Sequence, residues 1–282
     1  MCCYNRAPQN THSQETAMQP MVTIALRAAR KAGEQIVRAS DELERIDVQE
    51  KNVNDFVSDV DRNAEREIIY HLRKAYPEHA ILGEESGLSG DENAEYRWVI
   101  DPLDGTTNFL RGIPHYAVSI ACLYRGKLEH AVIVDPVRRE EFTASRGRGA
   151  QLNGRRIRVS SRTSLDGALL GTGIPFKDHC DQHLGAYSKS LEVLAGQCAG
   201  IRRAGAAALD LAYVAAGRLD AFWEIGLAQW DMAAGALLVR EAGGLVADIN
   251  GSDNYLESGN IVCGNPKCFK AVLQTTRPLL GK

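Results

Sequence analysis

Two aspartates stand three positions apart in a turn that directly follows a predicted strand. Asp101 and Asp104 belong to the segment Asp101–Phe109, DPLDGTTNF, which follows the mostly apolar residues 96–100. Carboxylates this close raise each other's pKa unless a cation neutralises them. Magnesium takes oxygen ligands, typically a few carboxylates together with the phosphate oxygens of a substrate. The pattern therefore predicts a magnesium site at the end of this strand.

The same segment also offers groups that would bind an anion and a water molecule. Gly105 allows the backbone to approach a ligand closely. If a helix begins after it, the free N–H groups of the first turn face the anion. Thr106 adds a hydroxyl group that could position water. One short segment thus combines metal ligands, an anion cradle and a water-binding hydroxyl.

Three further acidic clusters lie at predicted element boundaries, where ligand sites collect in α/β folds. They are Asp59–Asp61 just before a helix, Glu84–Glu85 after a strand, and Asp231 within Trp230–Gly235 at a helix start. Taken singly, each has an ordinary structural explanation: Asp61 or Asp231 can cap a helix, and two glutamates can occupy a solvated loop. Asp101 with Asp104 is harder to explain in this way, because a plain turn needs only one aspartate and one glycine.

The spacing of apolar residues predicts the elements that must position these groups. In the first half we expect helices over residues 21–40 and 62–75, and strands over residues 80–82, 96–100, 116–124 and 131–134. In the second half we expect strands over residues 168–172, 221–224, 245–249 and 260–263, and helices over residues 183–194, 206–216 and 231–242. Asn153–Gly154 is a strong hairpin signal.

The pattern changes from mixed α+β to alternating α/β near residue 160, where we place a subdomain boundary. We expect residues 18–160 to contain most of the metal ligands, and residues 161–282 to contain Asp231 and the substrate pocket. Residues 1–17 are polar and lack the apolar segment of a signal peptide. We interpret them as a disordered extension or a remnant of cloning.

Composition narrows the class of function. A net charge of -3 and a pI near 6.2 give no general attraction to nucleic acid or to a membrane surface. The basic clusters at residues 155–158 and 202–203 are expected to be mostly solvated. No apolar run approaches the roughly 20 residues of a membrane helix. The seven cysteines contain no CxxC pair, which favours reduced thiols in a cytoplasm.

Three of the motifs resemble the signatures of the inositol monophosphatase family, in the family's order and approximate spacing. They are Gly83–Ser86, Asp101–Phe109 and Trp230–Gly235. Arg202–Gly244 is similar to the bacterial members that double as extragenic suppressors and ribosomal RNA transcription factors. The resemblance runs from Met18 to the C-terminus. It implies a layered αβαβα sandwich of the inositol monophosphatase and fructose-1,6-bisphosphatase type, a homodimer, and inhibition by lithium and by excess magnesium.

The resemblance also implies roles for individual residues. Two Mg²⁺ ions would be bound by Glu84, Asp101, the Leu103 carbonyl, Asp104 and Asp231. A third, more weakly bound ion would also use Glu84. Thr106 and Asp61 would orient and deprotonate the attacking water, and Glu84 would assist catalysis through its ion. The N–H groups of Gly105 and Thr106 would hold the phosphate. Glu224 would accept hydrogen bonds from inositol hydroxyls, and Asp231, Gly205 and Ala207 would complete the substrate site.

Two positions fit the family less well. Lys51 is only a weak match to a lysine near the outer metal site, because the loop around it is shorter. Ala228 occupies the position where many members have a histidine close to the phosphate.

The sequence leaves alternatives open. The reading that fits best is a magnesium-dependent phosphatase for inositol 1-phosphate and similar monoesters. Close variants would act on fructose 1,6-bisphosphate, on NADP or on 3′-phosphoadenosine phosphates, although Glu224 would repel a second phosphate. A different class is a transcription antitermination factor that contacts RNA polymerase and has only incidental phosphatase activity. Since the pI does not favour direct RNA binding, a protein partner suits that role better.

Overall fold

A computed structural model describes residues 18–46, 48–52, 55–175 and 177–281, but not the side chains of residue 45, residues 50–52, residues 55–57 or residues 177–182. The predicted disorder of residues 1–17 therefore falls outside the described residues. Lys51 lies in a described strand, but its side chain is not described. Its weak match to the family's lysine near the outer metal site therefore stays a prediction.

The described residues form eight α-helices. Their bounds are α1 Pro20–Ser40, α2 Asp59–Ala75, α3 Thr106–Leu110, α4 Lys177–Ala195, α5 Ala207–Ala215, α6 Gln229–Glu241, α7 Tyr255–Ser258 and α8 Pro266–Leu280. None of these described helices is long and apolar enough to cross a membrane.

Fifteen strands accompany the helices within the described residues. Their bounds are β1 Val48–Asn52, β2 Asp55–Ser58, β3 Ala80–Gly83, β4 Gly87–Ser89, β5 Tyr96–Asp104, β6 Ala117–Tyr124, β7 Lys127–Asp135, β8 Glu140–Ser145, β9 Gly149–Leu152, β10 Arg155–Arg156, β11 Leu169–Thr172, β12 Gly200–Arg202, β13 Ala221–Glu224, β14 Leu245–Ala247 and β15 Ile261–Gly264.

The strands form a two-stranded ribbon and two large sheets. The eight-stranded sheet has the order β10-β9-β8-β7-β6-β5-β3-β4, and the five-stranded sheet has the order β12-β11-β13-β15-β14. The larger sheet is mainly antiparallel, but β3 and β5 are parallel neighbours. In the smaller sheet, β11 is parallel to both β12 and β13. Since the two sheets come from separate stretches of the chain, we propose to keep the subdomain boundary near residue 160.

Three apolar clusters arrange the helices and sheets in five layers. The first cluster packs α1 and α2 against one face of the large sheet. The second joins the other face of that sheet to α5, α6 and the small sheet. The third packs α4 and α8 against the outer face of the small sheet. This order of layers confirms the predicted αβαβα sandwich.

Helix α1 illustrates how periodicity produces a layer. Its buried residues include Val22, Ala25, Leu26, Ala29 and Ile36. Because they recur at three- and four-residue intervals, they form one stripe along the helix that faces the sheet. The predicted helix over residues 21–40 is therefore confirmed almost to the residue.

Two helix starts were predicted too late. Helix α2 begins at Asp59 rather than at residue 62, because Ser58 caps it: the Ser58 hydroxyl accepts a hydrogen bond from the N–H of Val60. Asp59–Asp61 therefore belongs to the first helical turn and does not precede the helix. Helix α4 begins at Lys177 rather than at residue 183. The last helix, α8, was not predicted at all, although Asn265 and Pro266 are typical start signals.

The predicted hairpin at Asn153–Gly154 is confirmed, and a second hairpin has the same backbone conformation. Asn153 and Gly154 join β9 to β10 with φ angles of 49° and 76°. Arg125 and Gly126 join β6 to β7 with φ angles of 48° and 75°. Two consecutive positive φ angles match the twist of an antiparallel pair.

The described cysteines are free. Cys122, Cys263 and Cys268 are buried, and Cys198 is half-buried. Burial raises the pKa of the Cys122 and Cys263 thiols, which keeps them protonated. This agrees with the prediction of reduced, buried thiols.

Helices α5 and α6 approach so closely that Gly235 has no room for a side chain. A Cβ at this position would lie 2.4 Å from Leu211 Cβ and 2.6 Å from Leu211 Cδ1. At Gly185, in α4, a Cβ would meet nothing within 4 Å. The two helical glycines therefore form a matched pair for testing the tight packing between the sheets.

We predict that Gly235→Ala destabilises the protein and that Gly185→Ala does not. Overpacking costs about 1–3 kcal/mol, which exceeds the roughly 1 kcal/mol that alanine gains over glycine in a helix. Gly185→Ala keeps that gain without the clash. Urea denaturation of both variants measures the difference. Changes of the same sign in the two free energies of unfolding would contradict the predicted close packing.

Candidate active site

A β-bulge directs Asp101 and Asp104 to the same face of β5. Residues three apart on a regular strand point to opposite faces. Asp101 pairs with Ser119 and Asp104 pairs with Ala117, so three steps along β5 oppose two steps along β6. The extra residue restores the common face. The two aspartates can therefore act on one ligand. Their spacing in the sequence alone did not guarantee this.

Glu84 lies beside Asp101 because β3 and β5 are parallel. Gly83 pairs with Ile100, and the Glu84 N–H donates to the Ile100 carbonyl over 3.1 Å. The next residue of each strand, Glu84 and Asp101, then emerges at the same edge of the sheet. The two carboxyl groups share a hydrogen bond, which helps to raise the pKa of Asp101.

A buried glutamate that the sequence analysis missed lies under the Glu84 turn. Glu65, in α2, is 2% exposed and accepts a hydrogen bond from the Glu85 N–H over 2.9 Å. A Cβ on Gly83 would lie 2.4 Å from Glu65 Oε2. The glycine of the Gly83–Ser86 motif therefore leaves room for a carboxylate that fixes the turn.

Asp104 and Asp231 each contact the start of a helix. Asp104 Oδ2 accepts from the Ala208 N–H over 2.8 Å and so caps α5, whose own N-cap residue is Ala206. Asp231 Oδ2 accepts from the Ala228 N–H over 2.7 Å at the start of α6. Asp231 therefore does help to cap a helix, as the structural explanation predicted, in addition to lining the site. Ala228 itself offers no ring that could approach a phosphate.

The carboxylates interact strongly with one another. Burial, followed by the nearby Glu84, Asp104 and Asp231 carboxylates, raises the pKa of Asp101 well above its usual value. Burial and then Asp231 raise the pKa of Asp104 in the same way. Among the described residues, no lysine or arginine forms an ion pair with Asp101 or Asp104. Within that part of the chain, Asp101 and Asp104 therefore lack a paired cationic side chain that would let both of them ionise.

These groups share one cavity of about 380 Å³. Ten of the eleven predicted site residues line it: Glu84, Asp101, Leu103, Asp104, Gly105, Thr106, Gly205, Ala207, Glu224 and Asp231. The eleventh, Asp61, lies behind Thr106. The structure thus brings the predicted residues together, while their individual roles remain predictions.

The donor set fits magnesium better than any softer metal. It consists of carboxylates and one backbone carbonyl, all of them hard oxygen ligands. Within the described residues, no three histidine, cysteine, aspartate or glutamate side chains are placed so that they could hold a metal ion by themselves. Magnesium usually retains several waters and substrate oxygens beside its carboxylate ligands. The residues therefore fit an ion that phosphate and water help to bind.

Thr106 and Asp61 form a hydrogen-bonded pair at the edge of the cavity. The Thr106 hydroxyl lies 2.9 Å from Asp61 Oδ1 and 3.0 Å from the Leu103 carbonyl, but its single proton can be donated to only one of them. Asp61 is 1% exposed and also accepts from the Ser58 N–H and hydroxyl. Burial raises the pKa of Asp61, and the hydrogen bonds oppose that effect.

Gly105 makes the sharp entry into α3. Its φ of +94° lies in the left-handed region, and a Cβ would meet the His115 carbonyl at 3.0 Å. The predicted helix start after Gly105 is therefore present at Thr106. Asn108 ties this turn to the opposite wall of the cavity, since its side-chain N–H groups donate to the carbonyls of His115 and Ala204.

The same cavity contains a second group of charged residues. Glu224 is 8% exposed, and a Cβ on Gly173 would lie 1.7 Å from Glu224 Oε1. Asp210 and Arg203 line the cavity as well. Burial raises the pKa of Asp210 to about 8 and raises that of Glu224 well above its usual value. Asp210 was not predicted from the sequence. Arg203, predicted to be mostly solvated, is exposed but lies at the cavity wall.

We predict that the metal-free protein loses stability as pH rises. The raised pKa values of Asp101 and Asp104 mean that the native state binds more protons than the unfolded chain above about pH 4, so the free energy of unfolding falls with increasing pH. A bound cation removes this penalty. At a hundred times its Kd, magnesium would stabilise the protein by about 2.7 kcal/mol, or very roughly 5–10 °C in Tm.

Thermal melts at pH 5 to 8, in EDTA and in magnesium, measure this effect. At each pH, the Tm in EDTA is subtracted from the Tm in magnesium. This difference cancels the contribution of the histidines to Tm, because that contribution is common to both conditions. We expect the difference in Tm to grow with pH. A difference that is absent, or that shrinks as pH rises, would contradict a cation-binding role for these carboxylates.

Comparisons with known proteins agree with the fold. The sequence model of the Inositol monophosphatase family matches residues 17–279. A Pseudomonas aeruginosa protein named Nus factor SuhB is 66% identical over 265 residues, which cover 93% of this chain and 98% of that protein.

Two solved structures are also similar. The crystal structure of the extragenic suppressor protein suhB from Bartonella henselae matches with a TM-score of 0.89 and 44% identity, covering 92% of this chain and 99% of the other. The Thermotoga maritima inositol monophosphatase TM1415 matches with a TM-score of 0.83 and 32% identity, covering 93% and 99%. The chain therefore belongs to the inositol monophosphatase family, within its bacterial extragenic-suppressor branch.

Proposed function

We propose that this protein is a magnesium-dependent phosphatase that hydrolyses inositol 1-phosphate and similar small phosphate monoesters. The observation that supports this most directly is the cavity itself. It gathers Glu84, Asp101, Asp104 and Asp231 beside Thr106, and Glu224 lines the same cavity. Phosphate monoester hydrolysis has one of the highest uncatalysed barriers, so a site for it needs charge neutralisation and an activated water together.

In this proposal, Glu84, Asp101, the Leu103 carbonyl, Asp104 and Asp231 would hold two Mg²⁺ ions. A third ion would bind more weakly. Magnesium supplies, when bound, the positive charge that neutralises phosphoryl oxygens and lowers the pKa of water. The Leu103 carbonyl is already oriented, because the Leu103 N–H donates to Asp101 Oδ1 over 3.0 Å. This bond closes the turn around the two aspartates.

The chain's own residues position and deprotonate the attacking water. The Thr106 hydroxyl donates a hydrogen bond to Asp61, and its lone pairs can accept a hydrogen bond from the attacking water. As the water attacks, its proton passes to Thr106 while the Thr106 proton passes to Asp61. A threonine hydroxyl alone is a weak base, so the buried Asp61 carboxylate supplies the basicity. The water oxygen forms the new bond to phosphorus, the ester P–O bond breaks, and the leaving oxygen takes a proton from solvent. The products are inorganic phosphate and the free alcohol.

The substrate lies in this cavity. The N–H groups of Gly105 and Thr106, at the start of α3, bind phosphate oxygens. Gly205 and Ala207 line the cavity, and Glu224 accepts hydrogen bonds from hydroxyl groups of the alcohol. A buried carboxylate at that position disfavours a second phosphate, which favours inositol 1-phosphate over fructose 1,6-bisphosphate.

A role in transcription is the second candidate function. The observation that favours it is 66% identity to a protein named Nus factor SuhB, over 93% of this chain. We propose contact with the transcription machinery through a protein partner; the exposed Arg202–Arg203 pair is one candidate contact. A homodimer, a cytoplasmic location and inhibition by lithium are further parts of the proposal that rest on the family resemblance.

We predict that Asp104→Asn abolishes phosphatase activity and leaves the protein folded. Asparagine retains an oxygen that can accept from the Ala208 N–H, but it removes the negative charge. Losing an outer partner of a metal site already costs about 10–100-fold, so we expect a loss in kcat/KM of at least about 100-fold. Asp253→Asn, at an exposed position in an ion pair with Arg240, is the matched control and should keep full activity.

Assays with inositol 1-phosphate, fructose 1,6-bisphosphate and 3′-phosphoadenosine 5′-phosphate test the substrate class. We expect the highest kcat/KM for inositol 1-phosphate. A hundredfold preference for either of the other two would overturn the inositol assignment.

Asp104→Asn also separates the two candidate functions, because a transcription role that is independent of catalysis should survive in this variant. Equal loss of phosphatase activity and of the transcription role would argue against a separable role.

A further inference from the structure

Asp210 is a buried carboxyl group that none of the sequence motifs accounts for. It belongs to α5, is 2% exposed, and lines the same cavity as the acidic metal-site residues. Within the described part of the chain, no hydrogen bond satisfies its carboxyl group. A carboxyl group that lines a cleft and has no hydrogen-bond partner in the described part of the chain is a candidate ligand-binding group.

Gly173 makes room for Glu224. A Cβ on Gly173 would lie 1.7 Å from Glu224 Oε1, and both residues line the cavity together with Asp210. A larger side chain at position 173 would displace the Glu224 carboxyl group. Because β11 and β13 are parallel, Gly173 and Glu224 emerge at the same edge of the small sheet.

Arg203 faces these two carboxyl groups without closing on them. Its positive charge lowers the pKa of both Asp210 and Glu224, although burial dominates in each. Among the described residues, Arg203 forms no ion pair with either carboxyl group. The guanidinium group is therefore near enough to act electrostatically, and all three side chains line the same cavity.

We propose that Asp210 is a specificity-determining residue that binds a substrate hydroxyl, so that Asp210, Glu224 and Arg203 together select a phosphorylated polyol with several free hydroxyls opposite its phosphate. The proposal rests on the proposed phosphatase function. A hydroxyl group both donates and accepts hydrogen bonds, so it can bridge carboxyl groups and a guanidinium group. One guanidinium beside two carboxyl groups leaves no surplus positive charge for a second phosphate.

The test compares two substrates in one variant. Asp210→Ala removes the hydroxyl-binding group but leaves the phosphate and metal residues in place. We expect kcat/KM for inositol 1-phosphate to fall about 10–100-fold, the range for a hydrogen bond to a charged or buried group, mainly through KM. For p-nitrophenyl phosphate, which has no polyol hydroxyls, we expect a change within about twofold, since only shared contacts remain.

Two further variants control the interpretation. Asp210→Asn keeps an acceptor and adds donors, so it should recover most of the inositol 1-phosphate activity. Asp248→Ala removes another carboxyl group that is 2% exposed but does not line the cavity, and it should leave the ratio of the two kcat/KM values unchanged. If Asp210→Ala does not fold, Asp210→Ser replaces it with the same readouts.

The outcomes separate this inference from the proposed function. An equal fall for both substrates in a folded Asp210→Ala variant, or no fall for either, would overturn the role of Asp210 alone. A wild-type protein that hydrolyses p-nitrophenyl phosphate but not inositol 1-phosphate would overturn the polyol class together with the proposed substrate.

Discussion

The site depends on one electrostatic constraint: buried carboxylates face one another, and among the described residues no lysine or arginine forms an ion pair with Asp101 or Asp104. In a cleft of low dielectric constant such a group cannot fully ionise unless a cation is present. A bound cation would supply the counter-charge that the two aspartates require. The constraint also links stability to function, because the arrangement that disfavours the metal-free fold is the one that prepares it to bind a cation.

The fold satisfies this constraint through backbone geometry more than through side-chain packing. A bulge in β5 directs Asp101 and Asp104 to one face, and a parallel pair of strands places Glu84 next to Asp101. The starts of α5 and α6 then contact Asp104 and Asp231. These helices lie between the two sheets, so packing of the central layer also aligns the carboxylates that we propose as metal ligands.

Asp101 and Asp104 could be read from the sequence because a plain turn does not need two carboxylates, whereas the other acidic clusters gained meaning only from the family resemblance. The αβαβα layers could likewise be predicted, since family motifs and apolar periodicity agree. The bulge could not be read, because it depends on the register between β5 and β6. Glu65 and Asp210 were missed since each is a single acid in a helix, and only the fold shows that one supports the Glu84 turn and the other lines the cavity.

The central claim is that these carboxylates bind magnesium for phosphate hydrolysis. The most direct measurement is the rate of inositol 1-phosphate hydrolysis by protein stripped with EDTA, before and after magnesium is returned. The account predicts no hydrolysis above background in EDTA and full recovery with magnesium. Hydrolysis at an undiminished rate in EDTA would contradict it.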